Sequence, residues 1–258
     1  KRVEGGGEYF IISRSFGLNI GATIGIALFM SQAISTAFYI IAFTEAFGFI
    51  FDFFSGSLGI NLPRQAISIP SMLALGYIIL KRGSNLGVKM LYIVAAILFL
   101  SLLLFFFGKT EYGINMGSRL PAGDIRNMKD FFMVFAIAFP AFTGMTAGVG
   151  LSGELKDPSK SIPRGTIIAT ITGMIIYTGV IYKFAISASP EDMLADQLLM
   201  SKIAVLGVVI VPVGLAASTL SSAIGSIMVA PRTLQALALD GSFPSAKINK
   251  WLSLGRKS

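Results

Sequence analysis

The chain has 258 residues, 54% of them hydrophobic and only 13% charged, with a mean hydropathy of +0.76; a soluble fold of this size cannot hide that much apolar surface, so the surplus faces lipid. It has neither cysteine nor histidine, which excludes a disulfide framework, thiolate metal sites and Cys- or His-dependent catalysis, and leaves no transition-metal site to expect. The net charge of +8 would suit nucleic acid, but where the charges fall decides its meaning.

The opening stretch KRVEGGGEYF has no initiator Met and no signal peptide, and reads as cut from a longer protein. Its glycines 5 to 7 are either a gate hinge or a turn leading out of a preceding helix. Apolar spans follow at about 17–47, 66–80, 86–108, 128–152, 166–188 and 204–229, each long enough, or nearly so, for roughly 20 residues of hydrocarbon. This is an all-α integral membrane chain with six helices, the second a short one. The first span carries Tyr39 near mid-depth, where a phenol needs a partner: a carbonyl of a neighbouring helix, or a bound cation. Glu45 lies on the order of 9 Å further out at 1.5 Å per residue, which suits an outer vestibule or a helix–helix bond better than a central ligand.

The fourth span contains FPAFTGMTAG, residues 139 to 148. Pro140 lacks an N–H and clashes with the preceding turn, and Gly144 and Gly148 weaken the helix, so the expectation is a break between Phe139 and Met145. A simple kink is the alternative. A break exposes carbonyls at the end of one half-helix and N–H groups at the start of the next, which can hold a cation and an anion close together without an ionised side chain. Pro140 C=O and Thr143 Oγ1 are the natural cation ligands, and the N–H groups of Gly144, Met145 and Thr146 the natural anion cradle. The loop GELKDPSKSIPRG that follows offers basic residues to chloride or to anionic headgroups. The fifth span carries Lys183 near its outer end, within snorkelling reach of the interface. In the sixth, Ser218, Ser222 and Ser226 recur every four residues with Ser221 and Gly225 between them. That spacing permits tight helix packing, and the Ser221–Ser222 pair also offers two hard oxygens to a small alkali cation.

Of the 21 Lys and Arg, Arg64, Lys109, Arg119, Arg126, Lys129 and Lys202 fall in the segments on one side of these spans, and Lys183 within a span. The other fourteen fall on the side of both termini, which by the positive-inside bias places both ends in the cytoplasm. The chain ends on WLSLGRKS, a charged loop where another span would begin.

Three segments, GGGEYFIISRSFG, FPAFTGMTAGVGLSGELKDPSKSIPRGT and LSSAIGSIMVAPRTLQALALDGSFP, resemble the cation-chloride cotransporters of the amino acid, polyamine and organocation superfamily. The first is shared with amino-acid permeases; SGELKDPSKSIPRGT and APRTLQALALDG are more specific. The resemblance covers nearly the whole chain and implies alignment with the third to eighth helices of a twelve-helix, LeuT-like inverted-repeat transporter, here a partial core with one discontinuous helix. It implies a potassium site at Tyr39, Pro140 and Thr143, a chloride site at the amides of Gly144, Met145 and Thr146, and a sodium site at the Ser218 carbonyl, Ser221 and Ser222. The remaining ligands would come from helices this chain lacks. Sodium-independent members lack the serine pair and sodium-chloride members carry histidine in place of the tyrosine, so the resemblance favours the sodium-potassium-chloride type. It implies a multi-pass plasma-membrane symporter with Na+, K+ and Cl− as substrates, the lipid bilayer as its surroundings, no cofactor, no nucleic acid, and a homodimer in the full-length parent. An amino-acid permease would use the same broken helix for a carboxylate. A membrane enzyme is disfavoured because no nucleophile is paired with a base and the spans keep Asp and Glu toward their ends.

Overall fold

The computed structural model describes residues 7–82, 84–115, 127–139, 145–150, 155–196 and 198–254. Among them every regular element is a helix: α1 (Gly7–Phe16), α2 (Leu18–Glu45), α3 (Gly48–Leu58), α4 (Gln65–Arg82), α5 (Ser84–Phe107), α6 (Glu111–Asn115), α7 (Met128–Ala138), α8 (Met145–Gly150), α9 (Pro158–Ser187), α10 (Pro190–Ala195), α11 (Met200–Ile203), α12 (Gly207–Leu239) and α13 (Ala246–Ser253). Four of them, α2, α5 from Lys89 onward, α9 and α12, are long and apolar enough to cross a membrane. The chain falls into two compact units. The first comprises Lys1–Val94, Met145–Thr166 and Ala216–Ser258, the second Ala95–Gly144 and Ile167–Leu215.

The helices differ from the expected spans in several places. The stretch between the first two spans holds α3, which Gly59 closes in a left-handed conformation at φ 62°. Of the expected span at 128–152 the structure describes α7 and α8, and residues 140–144 between them lie outside the described residues. The fifth helix of the expected set, α9, begins at Pro158, eight residues before the expected start at 166. The last span runs on to Leu239 instead of stopping near residue 229, because its continuation is itself packed: Ala236 and Leu237 are buried with Tyr9 in an apolar cluster.

In the first unit, glycine spacing fixes how α1 meets α2. Gly17 at φ 90° turns the chain between them, a conformation that any side chain would strain. A Cβ on Gly21 would lie 2.5 Å from Ser13 Cβ, and one on Gly25 would lie 2.7 Å from the Tyr9 ring and 2.8 Å from Leu237. Gly21 and Gly25, four residues apart, are thus where α1 and the end of α12 approach the α2 backbone closely. Further along α2, Ile40 joins Leu75 of α4 and Ala223, Ile224 and Met228 of α12 in a second cluster.

The C-terminal end of α12 is closed by paired bonds, Ser242 N–H to Leu237 C=O at 3.0 Å and Gly241 N–H to Ala238 C=O at 3.1 Å, with Gly241 at φ 71°. This is the Schellman arrangement, which satisfies carbonyls a helix end would otherwise leave unpaired.

The second unit is built around Phe105, which is fully buried and clusters with Ala188, Leu199, Ile203, Ala204 and Val211. Gly108 and Gly214 admit close neighbours, the Ile203 carbonyl and the Ser101 side chain respectively. Outside these clusters the long helices present large apolar side chains outward, among them Leu73, Ile168, Ile175 and Val208, and the most apolar stretch of α9 has no buried residue. A surface of that kind is tolerated only in lipid.

Candidate functional site

The segment of α12 from Ser218 to Val229 has two faces. Leu220, Ala223, Ile224 and Ile227, at steps of three, one and three, belong to the cluster shared with Ile40 of α2 and Leu75 of α4. Ser218, Ser222, Gly225 and Val229, at steps of four, three and four, share the other face. A Cβ on Gly150 of α8 would lie 2.6 Å from Val229, so α8 meets α12 at the Val229 end of this second face, within the first unit.

Tyr39 is half-buried and packs against the α2–α4–α12 cluster, with its ring edge-on to Phe38 at 6.0 Å. It is thereby a neighbour of the α12 stretch that carries the serines. Among the described residues its hydroxyl has no hydrogen-bond partner, so no neighbouring carbonyl claims it. Thr36 and Thr44, by contrast, bond back to the carbonyls of Gln32 and Ile40.

Ser222 Oγ donates to the Ser218 carbonyl at 3.1 Å. The bond directs the hydroxyl proton toward the helix backbone and leaves both oxygen lone pairs facing outward. An oxygen presented in that way is a better cation ligand than one whose proton points into the site. Ser221 is half-buried, and Ser226, one turn beyond Ser222, is buried.

Of the other predicted site residues, Pro140, Thr143 and Gly144 lie outside the described residues. Met145 and Thr146 are the first two residues of α8; nothing is described of their side chains, and the chemistry expected of them is that of their backbone N–H groups.

Two charged residues of the spans have structural partners. Glu45, at the end of α2, forms an ion pair with Arg64, in keeping with a place away from the centre. Lys183 Nζ donates to the Gly108 carbonyl at 2.5 Å, just past the end of α5, where a cation complements the helix terminus.

Sequence reasoning missed a polar cluster at the other end of α12. Tyr9, fully buried, donates its hydroxyl to Asp240 Oδ2 at 3.0 Å, and Arg14 donates to both Asp240 oxygens at 3.1 and 3.2 Å. Burial raises the Tyr9 phenol above its ordinary pKa. The neighbouring Glu8 has a buried oxygen without a partner among the described residues, and burial pushes its carboxyl from 4.5 up to about 7. The pairing signal was the Asp-Gly step after ALAL, which marks a helix end and so puts a carboxylate where the α1 side chains can reach it.

Comparison with known proteins adds ancestry to this geometry. The family profile described as "Amino acid permease" matches residues 1–257. The chain is 28% identical over 296 aligned positions to solute carrier family 12 member 2 of Mus musculus, covering 94% of this chain and 24% of that protein. It is 30% identical over 255 positions to solute carrier family 12 member 8 of Mus musculus, covering 94% and 35%, and 27% identical over 304 positions to member 9 of Danio rerio, covering 98% and 33%. It thus spans between 24% and 35% of the length of these relatives. Solute carrier family 12 is the group to which the motif resemblance pointed.

Proposed function

The chain belongs to the amino acid permease family, and on that premise we propose that it is part of a secondary active symporter that carries chloride together with sodium and potassium across the plasma membrane. Both ends of the chain are cytoplasmic in this reading, and the parent protein is a homodimer. The observation that carries the proposal is the packing of Tyr39 beside the α12 stretch that also holds Ser221 and Ser222, in a chain similar to solute carrier family 12 members. Tyr39 serves potassium, with Pro140 and Thr143. The Ser218 carbonyl, Ser221 and Ser222 serve sodium, and the amides of Gly144, Met145 and Thr146 serve chloride.

The chemistry rests on neutral groups. Within α2 the one residue that carries a formal charge is Glu45, at its last position, and within α12 it is Arg232, in its last third. A cation bound there is surrounded by hydroxyl and carbonyl dipoles, which replace part of its hydration but not its counter-charge. A nearby chloride supplies the counter-charge, and each ion lowers the desolvation cost of the other. Coupling and electroneutrality follow together: neither ion enters the membrane interior favourably alone. Alternating access would rock the segment carrying Pro140 and Thr143 against the helices that hold Tyr39 and the serines.

The family description also favours a second reading, an amino-acid substrate bound by its carboxylate in place of chloride. Rubidium uptake by the intact protein in proteoliposomes decides between them. Replacement of chloride by gluconate is expected to abolish uptake; uptake that persists without chloride and is competed by amino acids would overturn the ion reading. Tyr39→Phe removes one oxygen from the cation. If that contact is worth what a hydrogen bond to a charged group is, about 1.5–3 kcal/mol, half-saturating rubidium rises roughly tenfold to a hundredfold. An unchanged value would remove Tyr39 from the site.

A further inference from the structure

The helix α13 has an apolar edge that none of the described residues covers. Ile248, Trp251 and Leu254 are 46%, 72% and 71% exposed, and Lys247 and Lys250 beside them are exposed as well. Ile248 and Trp251 are three residues apart, so one side of the helix carries both. The polar side is the one that is tied down. Asn249 exchanges bonds with the backbone of Phe243, accepting from its N–H at 3.1 Å and donating to its C=O at 2.8 Å, and Gln235 of α12 donates to the Ser253 carbonyl at 3.1 Å. The helix is therefore held with its Asn249 and Ser253 side against the end of α12 and its Ile248 and Trp251 side turned away.

Place in the chain restricts what that side can meet. α12 is long and apolar enough to cross the membrane, and its Schellman closure at Gly241 ends it there. Six residues lie between Leu239 and Ala246, and the Gln235–Ser253 bond ties the far end of α13 back to α12 about six residues, on the order of 9 Å, past the expected end of the span near 229, so α13 stays near the level where α12 leaves the hydrocarbon. A ring such as Trp favours that headgroup level, where its apolar body and its N–H are both accommodated. Lysines flanking an inserted apolar edge favour an anionic surface, and the sequence continues with Arg256 and Lys257.

We propose that α13 is an interfacial anchor that inserts Ile248 and Trp251 into the headgroup layer of the bilayer crossed by α12, with Lys247 and Lys250 bound to anionic phospholipid. The anchor holds the C-terminal end of α12, and through Gln235 it ties the lipid composition of one leaflet to the helix that carries the serine face. It does not depend on which solute is transported.

Trp251 is the chain's single tryptophan, so the emission of the 258-residue chain reports on α13 alone. The chain is reconstituted in phosphatidylcholine vesicles with increasing shares of phosphatidylglycerol, one or the other lipid carrying brominated acyl chains. Brominated lipid is expected to quench Trp251 and to leave the residual emission blue-shifted, with brominated phosphatidylglycerol the stronger quencher at low salt. Each lysine contributes roughly a fivefold preference for the anionic lipid, so Lys247→Gln/Lys250→Gln should reduce the preference roughly 25-fold while bromine still quenches. Trp251 that is untouched by brominated lipid in the unmodified chain, whether it is open to aqueous acrylamide or shielded from it by protein, would overturn the proposal. Equal quenching by the two lipids in that chain would remove the anionic partner.

Discussion

Replacing Ser222 by alanine separates a cation ligand from a packing residue. The Ser222 hydroxyl bonds only to the Ser218 carbonyl of its own helix among the described residues, at 3.1 Å, and alanine is the better helix former. As a packing residue, Ser222 is worth little: its loss should change unfolding stability by no more than about 0.5–1 kcal/mol. As a sodium ligand it is worth what an oxygen contact to a full charge is worth, about 1.5–3 kcal/mol, which raises half-saturating sodium roughly tenfold to a hundredfold. The two readings therefore differ by at least an order of magnitude in one observable, the sodium concentration that half-activates rubidium uptake by the intact protein. Two controls come from the same helix. Ser218→Ala keeps the carbonyl that the site would use, so sodium activation should stay near that of the unmodified protein. Ser226→Ala removes a hydroxyl that is 5% exposed and belongs to the same four-residue stripe, and it too should leave sodium activation in place. Unchanged activation in Ser222→Ala, or an equal shift in Ser226→Ala, would return the stripe to helix packing and refute the argument.

Three further outcomes concern the α1 end of the first unit. Tyr9→Phe keeps the buried ring and removes its bond to the Asp240 carboxylate, at a cost of about 1.5–3 kcal/mol, whereas Arg14→Gln removes an ion pair whose arginine is 59% exposed and costs about 0–1 kcal/mol; denaturant unfolding in mixed micelles should rank them in that order, and the reverse order would contradict the burial argument. Gly25→Ala places a Cβ 2.7 Å from the Tyr9 ring and 2.8 Å from Leu237, both fully buried, so the α1–α2 contact should lose about 1–3 kcal/mol to overpacking, read as a lower unfolding midpoint. Glu8 has a folded pKa of about 7, above its ordinary 4.5, because of burial; the stability of its neutral form is fully present below about 4.5 and is lost as pH rises through about 7. Glu8→Gln should accordingly flatten the fall in unfolding midpoint between those two values, and an identical fall in both proteins would assign it to other groups.

The long helices were legible because a lipid-facing helix needs no strict periodicity: the most apolar stretch of α9 has no buried residue, and mean hydropathy alone finds it. Elements that depend on partners were harder to see. The extension of α12 past residue 229 exists because Leu237 packs on Tyr9, and the Tyr9–Asp240 bond joins residues 231 positions apart, so no local window contains both halves of the reason. Gly21 and Gly25, four residues apart, carry the same spacing signal of close helix approach as the serines of α12. For the site, local chemistry left Tyr39 as any buried phenol and Ser222 as any small interface residue; only the motif resemblance gave them roles.

What the structure adds to those roles is a reason for hydroxyls rather than carboxylates at this place. Ser218, Ser222 and Gly225 share an α12 face with Val229, which meets α8 at Gly150, and the α12 face packed on α2 and α4 is apolar. A carboxylate on either face would stand at mid-membrane whenever the cation left, at a cost of several kcal/mol, and the empty carrier would be trapped. Hydroxyls avoid that trap because an empty serine can satisfy itself: Ser222 does so by bonding to Ser218 within its own helix. Under the proposed function, the same bond that keeps the unloaded serine tolerable in lipid would also orient its oxygen for a cation, and the site would change its exposure with both charges bound or with none.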